Sequence, residues 1–161
     1  LSAERFLVDA ENGVIKLLTP PFTEDSIADV GYIASYPPGI RENGAQYTHA
    51  AIWLAKAFFQ IGRKDPEFAQ KGRRLLEMLN PVNHSRTRLE AARYKTEPYA
   101  VAADVYSGSN LGRGGWSWYT GSAGWYLRAV LEGLFGLRME SGRLSLPELP
   151  EGWELSIDTE I

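Results

Sequence analysis

Three short segments carry the side chains that could do chemistry. The first is Tyr36-Pro37-Pro38-Gly39-Ile40-Arg41-Glu42-Asn43-Gly44-Ala45-Gln46-Tyr47-Thr48-His49. A stiff Pro-Pro turn leads through charged and amide residues into a helical pattern that starts near Gln46. Helix N-termini favour anions, because their first amides lack partners and the dipole is positive there. Glu42 falls near that start and His49 one to two turns inside, where an imidazole can hold phosphate or a sugar hydroxyl. The same residues also read as an ion-paired Arg41-Glu42 loop and a packed core histidine. The second segment is Arg93-Tyr94-Lys95-Thr96-Glu97-Pro98-Tyr99, with Lys95 and Glu97 between tyrosines. It suits recognition of sugar hydroxyls, or it is a solvated run of charges. The third runs from Gly112-Arg113-Gly114-Gly115-Trp116 through Ser117-Trp118-Tyr119-Thr120-Gly121 to Trp125. Thr120 can cap a helix there, leaving the amides of Gly121, Ser122 and Ala123 open to an oxyanion. A tightly packed helix start explains the glycines equally well.

Other chemistries find less support. There is no cysteine, so thiolate metal sites, cysteine nucleophiles and disulfides are excluded. His49 and His84 are the only 2 histidines, too few for a histidine-rich zinc centre, and no metal is expected. No Gly-Lys-Ser/Thr follows the glycine run, so it is not a Walker loop. No Gly-x-Ser-x-Gly elbow precedes a helix. Glu42, Glu97 and Asp104 are candidates for a glycosidase carboxylate pair, but sequence alone places no two of them across a bond.

The elements that must position these residues follow from periodicity. Of the 161 residues, 44% are apolar and 23% charged, a globular balance for one domain, and the net charge is −3. That charge argues against a nucleic-acid partner or an anionic membrane surface. Five Trp, eight Tyr and six Phe beside 16 Gly suit stacking on sugar faces, or an aromatic core. Leu1 to Asp9 reads as the tail of a helix that stops at Glu11-Asn12-Gly13. Gln46 to Ile61 reads as a helix with Ala50, Trp53, Leu54, Ala57, Phe58 and Ile61 as its apolar stripe. Asp65 caps the next helix, with Pro66 at its first position and Phe68, Leu75, Leu76 and Leu79 buried. A short helix is expected from Glu97 to Val105, and a longer one from Thr120 to Leu137. After Gly136 the period changes to alternation, over Arg143 to Leu149 and again over Trp153 to Ile161. The longest apolar stretch is too short to cross a bilayer. The first residue is Leu rather than Met and the last falls in an expected strand, so the chain reads as a piece of something longer.

Taken in order, these segments resemble a known family. Tyr-Pro-Pro-Gly-Ile-Arg-Glu-Asn-Gly-Ala-Gln-Tyr-Thr-His-Ala, Asn-Pro-Val-Asn-His-Ser, Tyr-Lys-Thr-Glu-Pro-Tyr-Ala-Val-Ala-Ala-Asp-Val-Tyr and Gly-Arg-Gly-Gly-Trp-Ser-Trp-Tyr-Thr-Gly-Ser-Ala-Gly-Trp occur in succession. Together they resemble the C-terminal part of glycoside hydrolase family 94, the cellobiose and chitobiose phosphorylases. Within it the chain looks most like the phosphorylase-like region of cyclic β-1,2-glucan synthases and the 1,2-β-oligoglucan phosphorylases. The resemblance implies a mainly α fold: residues 1–137 as the last helices of an (α/α)6 barrel, and 138–161 as the first strands of a small β domain.

It also implies inverting phosphorolysis of β-glucosides, with inorganic phosphate as co-substrate and no other cofactor. By the match, His49, Thr120 and Gly121 contact phosphate. Glu42 contacts the sugar, and Arg41, Lys95, Glu97 and Tyr99 lie in matching sugar-site motifs. The family's general acid Asp has no counterpart here, so no catalytic residue is assigned to this chain, and the chain alone is expected to be inactive. Where cellobiose phosphorylases carry a Gln, this chain has Ala102-Ala103-Asp104, which points to the β-1,2-glucan branch. The expected partners are a β-glucan oligosaccharide, phosphate and the N-terminal part of the barrel, with a homodimer left open. The expected location is the cytoplasm, or the cytoplasmic region of an inner-membrane protein. Two competing readings are an inactive carbohydrate-binding or scaffolding module of the same fold, and a hydrolase using Glu42 and Glu97.

Overall fold

The computed structural model describes residues 1–26, 30–118 and 120–146, together with 152, 154 and 156. Helix α1 (Ser2–Leu7) leads into a two-stranded hairpin, β1 (Val8–Asp9) and β2 (Val14–Ile15), which turns at Gly13. A 3-10 turn covers Gly31–Ser35. Strand β3 (Gln46–Tyr47) then runs directly into α2 (Thr48–Gly62). The helix therefore starts two residues later than periodicity suggested, and His49 sits in its first turn rather than deeper inside.

The expected stripe of α2 is also rotated. Thr48, Ala51, Ile52, Ala55 and Phe58 are the buried residues, whereas Trp53, Ala57 and Ile61 are exposed. The helix is apolar on nearly every side, so its sequence does not decide which face the next helix covers. That next helix, α3 (Pro66–Leu79), forms as expected. The Asp65 carboxylate accepts from the Glu67 N–H at 3.1 Å, and Leu75, Leu76 and Leu79 are buried against α2.

A 3-10 turn, Pro81–His84, leads to α4 (Arg88–Tyr94), a helix that the apolar pattern does not announce. It is held by a capping box: Thr87 accepts from the Glu90 N–H at 3.2 Å, and the Glu90 carboxylate accepts from the Thr87 N–H at 2.8 Å. Lys95 ends it in the left-handed conformation, φ 58°.

The helix expected from Glu97 to Val105 does not exist. That run is a turn followed by β4 (Asp104–Val105), which pairs antiparallel with β3 so that Tyr47 faces Asp104 and Gln46 faces Val105. Pro98 followed by an alanine-rich stretch has local helix propensity. Ladder pairing, with burial of Ala102 and Val105 beside Val14 and Tyr94, overrides it.

Helix α5 (Thr120–Ala129) packs on α2 and passes into a π-helical turn, Val130–Leu134, short of the expected end at Leu137. Beyond Gly136 comes a hairpin of β5 (Arg138–Glu140) and β6 (Arg143–Ser145). Of the strand expected over Trp153 to Ile161 only Glu154 and Ser156 are described, and neither belongs to a strand. The chain is thus mainly helical with three small antiparallel sheets among the described residues. Its main core joins α2, α3 and α5 through Ile52, Ala55, Phe58, Leu76 and Ala129. No helix among the described residues is long and apolar enough to cross a membrane.

Candidate functional site

The site is assembled by backbone pairing between three distant segments. The Thr48 N–H donates to Ala103 O at 2.9 Å, and the Ala103 N–H donates to Trp116 O at 2.6 Å. The Gly115 N–H donates to Asp104 O at 2.9 Å. A tight turn precedes β3: the Asn43 N–H donates to Ile40 O at 3.0 Å, putting Arg41 and Glu42 at the corner. The Asn43 side chain fixes this turn from within. Its amide donates to Phe22 O and Tyr36 O, and its oxygen accepts from the Phe22 N–H. Arg41 takes the left-handed region, φ 47°, a conformation that costs a non-glycine residue about 1–3 kcal/mol. Its guanidinium then lies over the Trp116 ring, 5.2 Å from the centroid, and 5.8 Å from that of Tyr36.

These segments enclose a cavity of about 240 Å³ lined by Arg41, Glu42, Tyr47, Ala103, Asp104 and Trp116. Asp104 is 3% exposed, and its Oδ1 accepts from the Trp116 N–H at 3.0 Å. Burial pushes the Asp104 carboxyl up. The Trp116 hydrogen bond and the Arg41 charge oppose that rise, and the nearby Glu42 adds to it. Asp104 Oδ2 and Glu42 Oε2 are both sealed from solvent and have no hydrogen-bond partner among the described residues. Burying an acceptor unpaired is costly, so these two carboxylates mark a strained corner of the cavity wall. Gly115 allows the close fit, because a Cβ there would collide with the Asp104 carboxylate.

Behind the cavity wall stands His49. Its ring stacks on that of Tyr47 at 6.1 Å, meets Trp53 edge-on at 4.7 Å and lies 5.8 Å from Trp125. Its Nε2 is buried and has no hydrogen-bond partner among the described residues. A Cβ built on Gly121 would stand 3.9 Å from His49 Nδ1, so the start of α5 opens beside the imidazole. The structure therefore puts Gly121 beside His49 and joins them through Tyr47 to the cavity that holds Arg41 and Glu42. Thr120 begins α5 beside them, and its side chain and the cap expected of it lie outside the described residues.

The remaining sequence candidates sit differently. Glu97 is outside the cavity lining; its Oε1 accepts from the Trp118 indole N–H at 3.1 Å. Hydrogen bonds from Ser117, its own backbone and Trp118 hold its carboxyl below the usual value. Glu42 and Glu97 thus do not face each other across the cavity, where the carboxylate opposite Glu42 is Asp104. Tyr99 is exposed and meets Trp118 edge-on at 5.9 Å. Lys95 stands apart, lining a separate shallow depression with Arg93 and Arg113. No ion pair joins Arg41 to Glu42 among the described residues. His84 is a packing residue: its Nε2 meets Met78 O at 2.8 Å, its ring stacks on Tyr94, and burial lowers its pKa.

Sequence reasoning weighed Asp104 only as one of several carboxylates and did not single out Tyr47. A signal for Asp104 was present. It interrupts the run Ala100-Val101-Ala102-Ala103 ahead of Val105, and a carboxylate inside such a run is buried only where something compensates it.

A half-open cavity lined by Arg41, Glu42, Asp104 and aromatic rings, with an imidazole and a helix start beside it, has the chemistry to take a small polyhydroxylated or anionic ligand. Residues 2–136 match the model of the glycosyl hydrolase 94 superfamily, catalytic domain, and the chain belongs to that family. It is 50% identical over 149 residues to the cyclic beta-(1,2)-glucan synthase NdvB of Rhizobium meliloti, covering 91% of this chain and 5% of that protein. It is 32% identical over 141 residues to solabiose phosphorylase of Paenibacillus borealis, covering 85% of this chain and 17% of that protein. With 1,2-beta-oligoglucan phosphorylase of Listeria innocua the identity is 28% over 137 residues, covering 73% and 12%. The chain therefore spans only a small part of the length of these relatives.

Proposed function

We propose that this chain supplies part of the sugar and phosphate site of an enzyme that cleaves β-glucosides with inorganic phosphate, releasing α-glucose 1-phosphate. The observation that carries this reading is adjacency. Tyr47 lines the cavity and also stacks on His49, which lies beside the start of α5. A sugar ring in the cavity and an anion at His49 would be neighbours, as a displacement at the anomeric carbon requires.

In this mechanism phosphate oxygen attacks the anomeric carbon, and the bond from that carbon to the leaving glucan oxygen breaks with inversion. The leaving oxygen takes its proton from a general acid outside residues 1–161, so these residues alone do not turn over substrate. Phosphate is already a nucleophile, and the protein's task is to hold it against the charge it carries. His49, the Gly121 amide and Thr120 do this, at a helix start where the dipole favours an anion. Glu42 and Asp104 accept hydrogen bonds from sugar hydroxyls, and the Trp116 ring holds the Arg41 guanidinium in place beside them. The helices form the closing part of an (α/α)6 barrel, whose other helices cover the exposed face of α2. Among β-glucosides, β-1,2-glucan is the substrate favoured, because the relative with 50% identity is named for that linkage.

The test is product analysis with the protein that carries this chain, given β-1,2-oligoglucan with and without phosphate. Phosphate-dependent release of α-glucose 1-phosphate is expected. Free glucose released at the same rate without phosphate would overturn the proposal.

A further inference from the structure

The phosphate side of the site has a support of its own, built around Trp125. The Trp125 ring has Lys56 Nζ 4.8 Å from its centroid and the Arg128 guanidinium carbon at 5.3 Å. Its remaining neighbours are the His49 ring at 5.8 Å and the Trp53 ring, edge-on at 5.6 Å. Both cations are tied to one carboxylate. Lys56 Nζ donates to Glu132 Oε2 at 2.6 Å, and the Arg128 Nε–H donates to Glu132 Oε1. Burial pushes the Glu132 carboxyl up, but the hydrogen bonds from Lys56 and Arg128 outweigh it and hold the group below its usual value. Lys56 is the better buried partner, with 17% of its side chain exposed.

Glu132 reaches Lys56 from the π-helical turn at Val130–Leu134. Such single turns change the direction in which a helix presents its side chains, and they recur at functional sites. Two elements thus meet over one indole: α2, which carries His49 and Lys56, and the end of α5, whose start carries Gly121.

We infer that Lys56, Glu132 and Arg128 form a clamp on Trp125 that holds the His49 ring in place for phosphate, making Trp125 and Lys56 positioning residues. The inference rests on the reading of His49 as a phosphate ligand. A flat ring held by two cations, themselves fixed by one carboxylate, leaves His49 little freedom to tilt between Tyr47, Trp53 and Trp125. The clamp acts on the anion and not on the sugar, because none of its members lines the sugar cavity. It also keeps positive charge near the anion without placing a lysine in contact with it.

Steady-state kinetics of the protein that carries this chain separate the possibilities, since phosphate and glucan can be varied independently. In Lys56→Met the KM for phosphate should rise about tenfold while the KM for glucan stays within about twofold. Lys56→Arg, which keeps the charge and stacks well on indole, should restore the phosphate KM. Trp125→Phe keeps a ring of weaker attraction and should give a smaller rise of the same kind, which preserves the test if Lys56→Met fails to fold. An unchanged phosphate KM in folded Lys56→Met, or phosphate and glucan KM values rising together, would overturn the clamp. His49→Ala is the control: if it leaves the phosphate KM unchanged, the assignment of His49 fails and the clamp falls with it, whereas a raised KM there beside an unchanged one in Lys56→Met overturns the clamp alone.

Discussion

Asp104 and Glu42 are two carboxylates turned toward one cavity, each with an oxygen sealed from solvent and unpartnered among the described residues. For Asp104 this arrangement has a cost and a use. Its folded-state pKa is raised above 3.8, chiefly by burial. A group whose pKa rises on folding destabilises the fold once it ionises, so the penalty is absent at pH 3 and present at pH 7. Asp104→Asn keeps an oxygen for the Trp116 N–H and removes the buried charge. It should therefore raise Tm at pH 7 and leave it little changed at pH 3, as thermal scans at the two pH values would report. If Asp104 takes a sugar hydroxyl, the same variant should lose about 10- to 100-fold in kcat/KM, from the ~1.5–3 kcal/mol typical of a charged hydrogen bond. Stability gained where activity is lost marks a residue kept for function. In the sequence, His49, Gly121, Arg41 and Glu42 could be singled out because they lie in segments rich in hydrogen-bonding types. Tyr47 and Asp104 could not be placed in the cavity, because only the pairing of β3 with β4 brings them opposite each other.

At the level of elements, α3 was legible because its apolar positions fall on one narrow stripe between a clear cap and Asn80-Pro81. For α2 the helix was legible and its buried face was not, since apolar residues surround it. The α4 segment was missed for a different reason: Leu89 is exposed, so no apolar stripe exists, and local hydrogen bonds do the work of packing. The Thr-x-x-Glu spacing of Thr87 and Glu90 was the available signal. Thr87→Ala removes the acceptor for the Glu90 N–H and should cost about 1 kcal/mol, measurable by urea unfolding. A loss below ~0.3 kcal/mol would mean that α4 is held from its C-terminal end, where Tyr94 is buried. Residues 97–105 show the opposite failure, in which local propensity suggests a helix and the distant strand Gln46–Tyr47 claims Asp104 and Val105 for a sheet.

For the molecule as a whole, the exposed large apolar side chains matter most. Trp53 and Leu127 are more than half exposed on α2 and α5, whose opposite faces build the core, and Phe6 on α1 is more than half exposed as well. Isolated side chains of this kind are ordinary on a surface; several on neighbouring helices mark a face that something covers. The 161-residue chain prepared by itself should therefore self-associate, with a sedimentation coefficient that rises with concentration. Trp53→Gln with Leu127→Gln should suppress that rise. A monomer at every concentration would show that these faces are tolerated in water and would favour the binding-module reading.

The bond from the Thr48 N–H to Ala103 O, 2.9 Å long, has a consequence for how such a protein can change over generations. The chain leaves the site at Thr48, makes its long helical excursion through α2, α3 and α4, and returns to the point of departure. Because the two ends are pinned together, the exposed turn at Arg63-Lys64 between α2 and α3 can be lengthened or exchanged at little entropic penalty and without displacing the wall of the cavity. The excursion is a cassette in the architectural sense: its outer turn is free to acquire new neighbours while α3 stays packed on α2 and the doorway at Thr48 and Ala103 stays fixed.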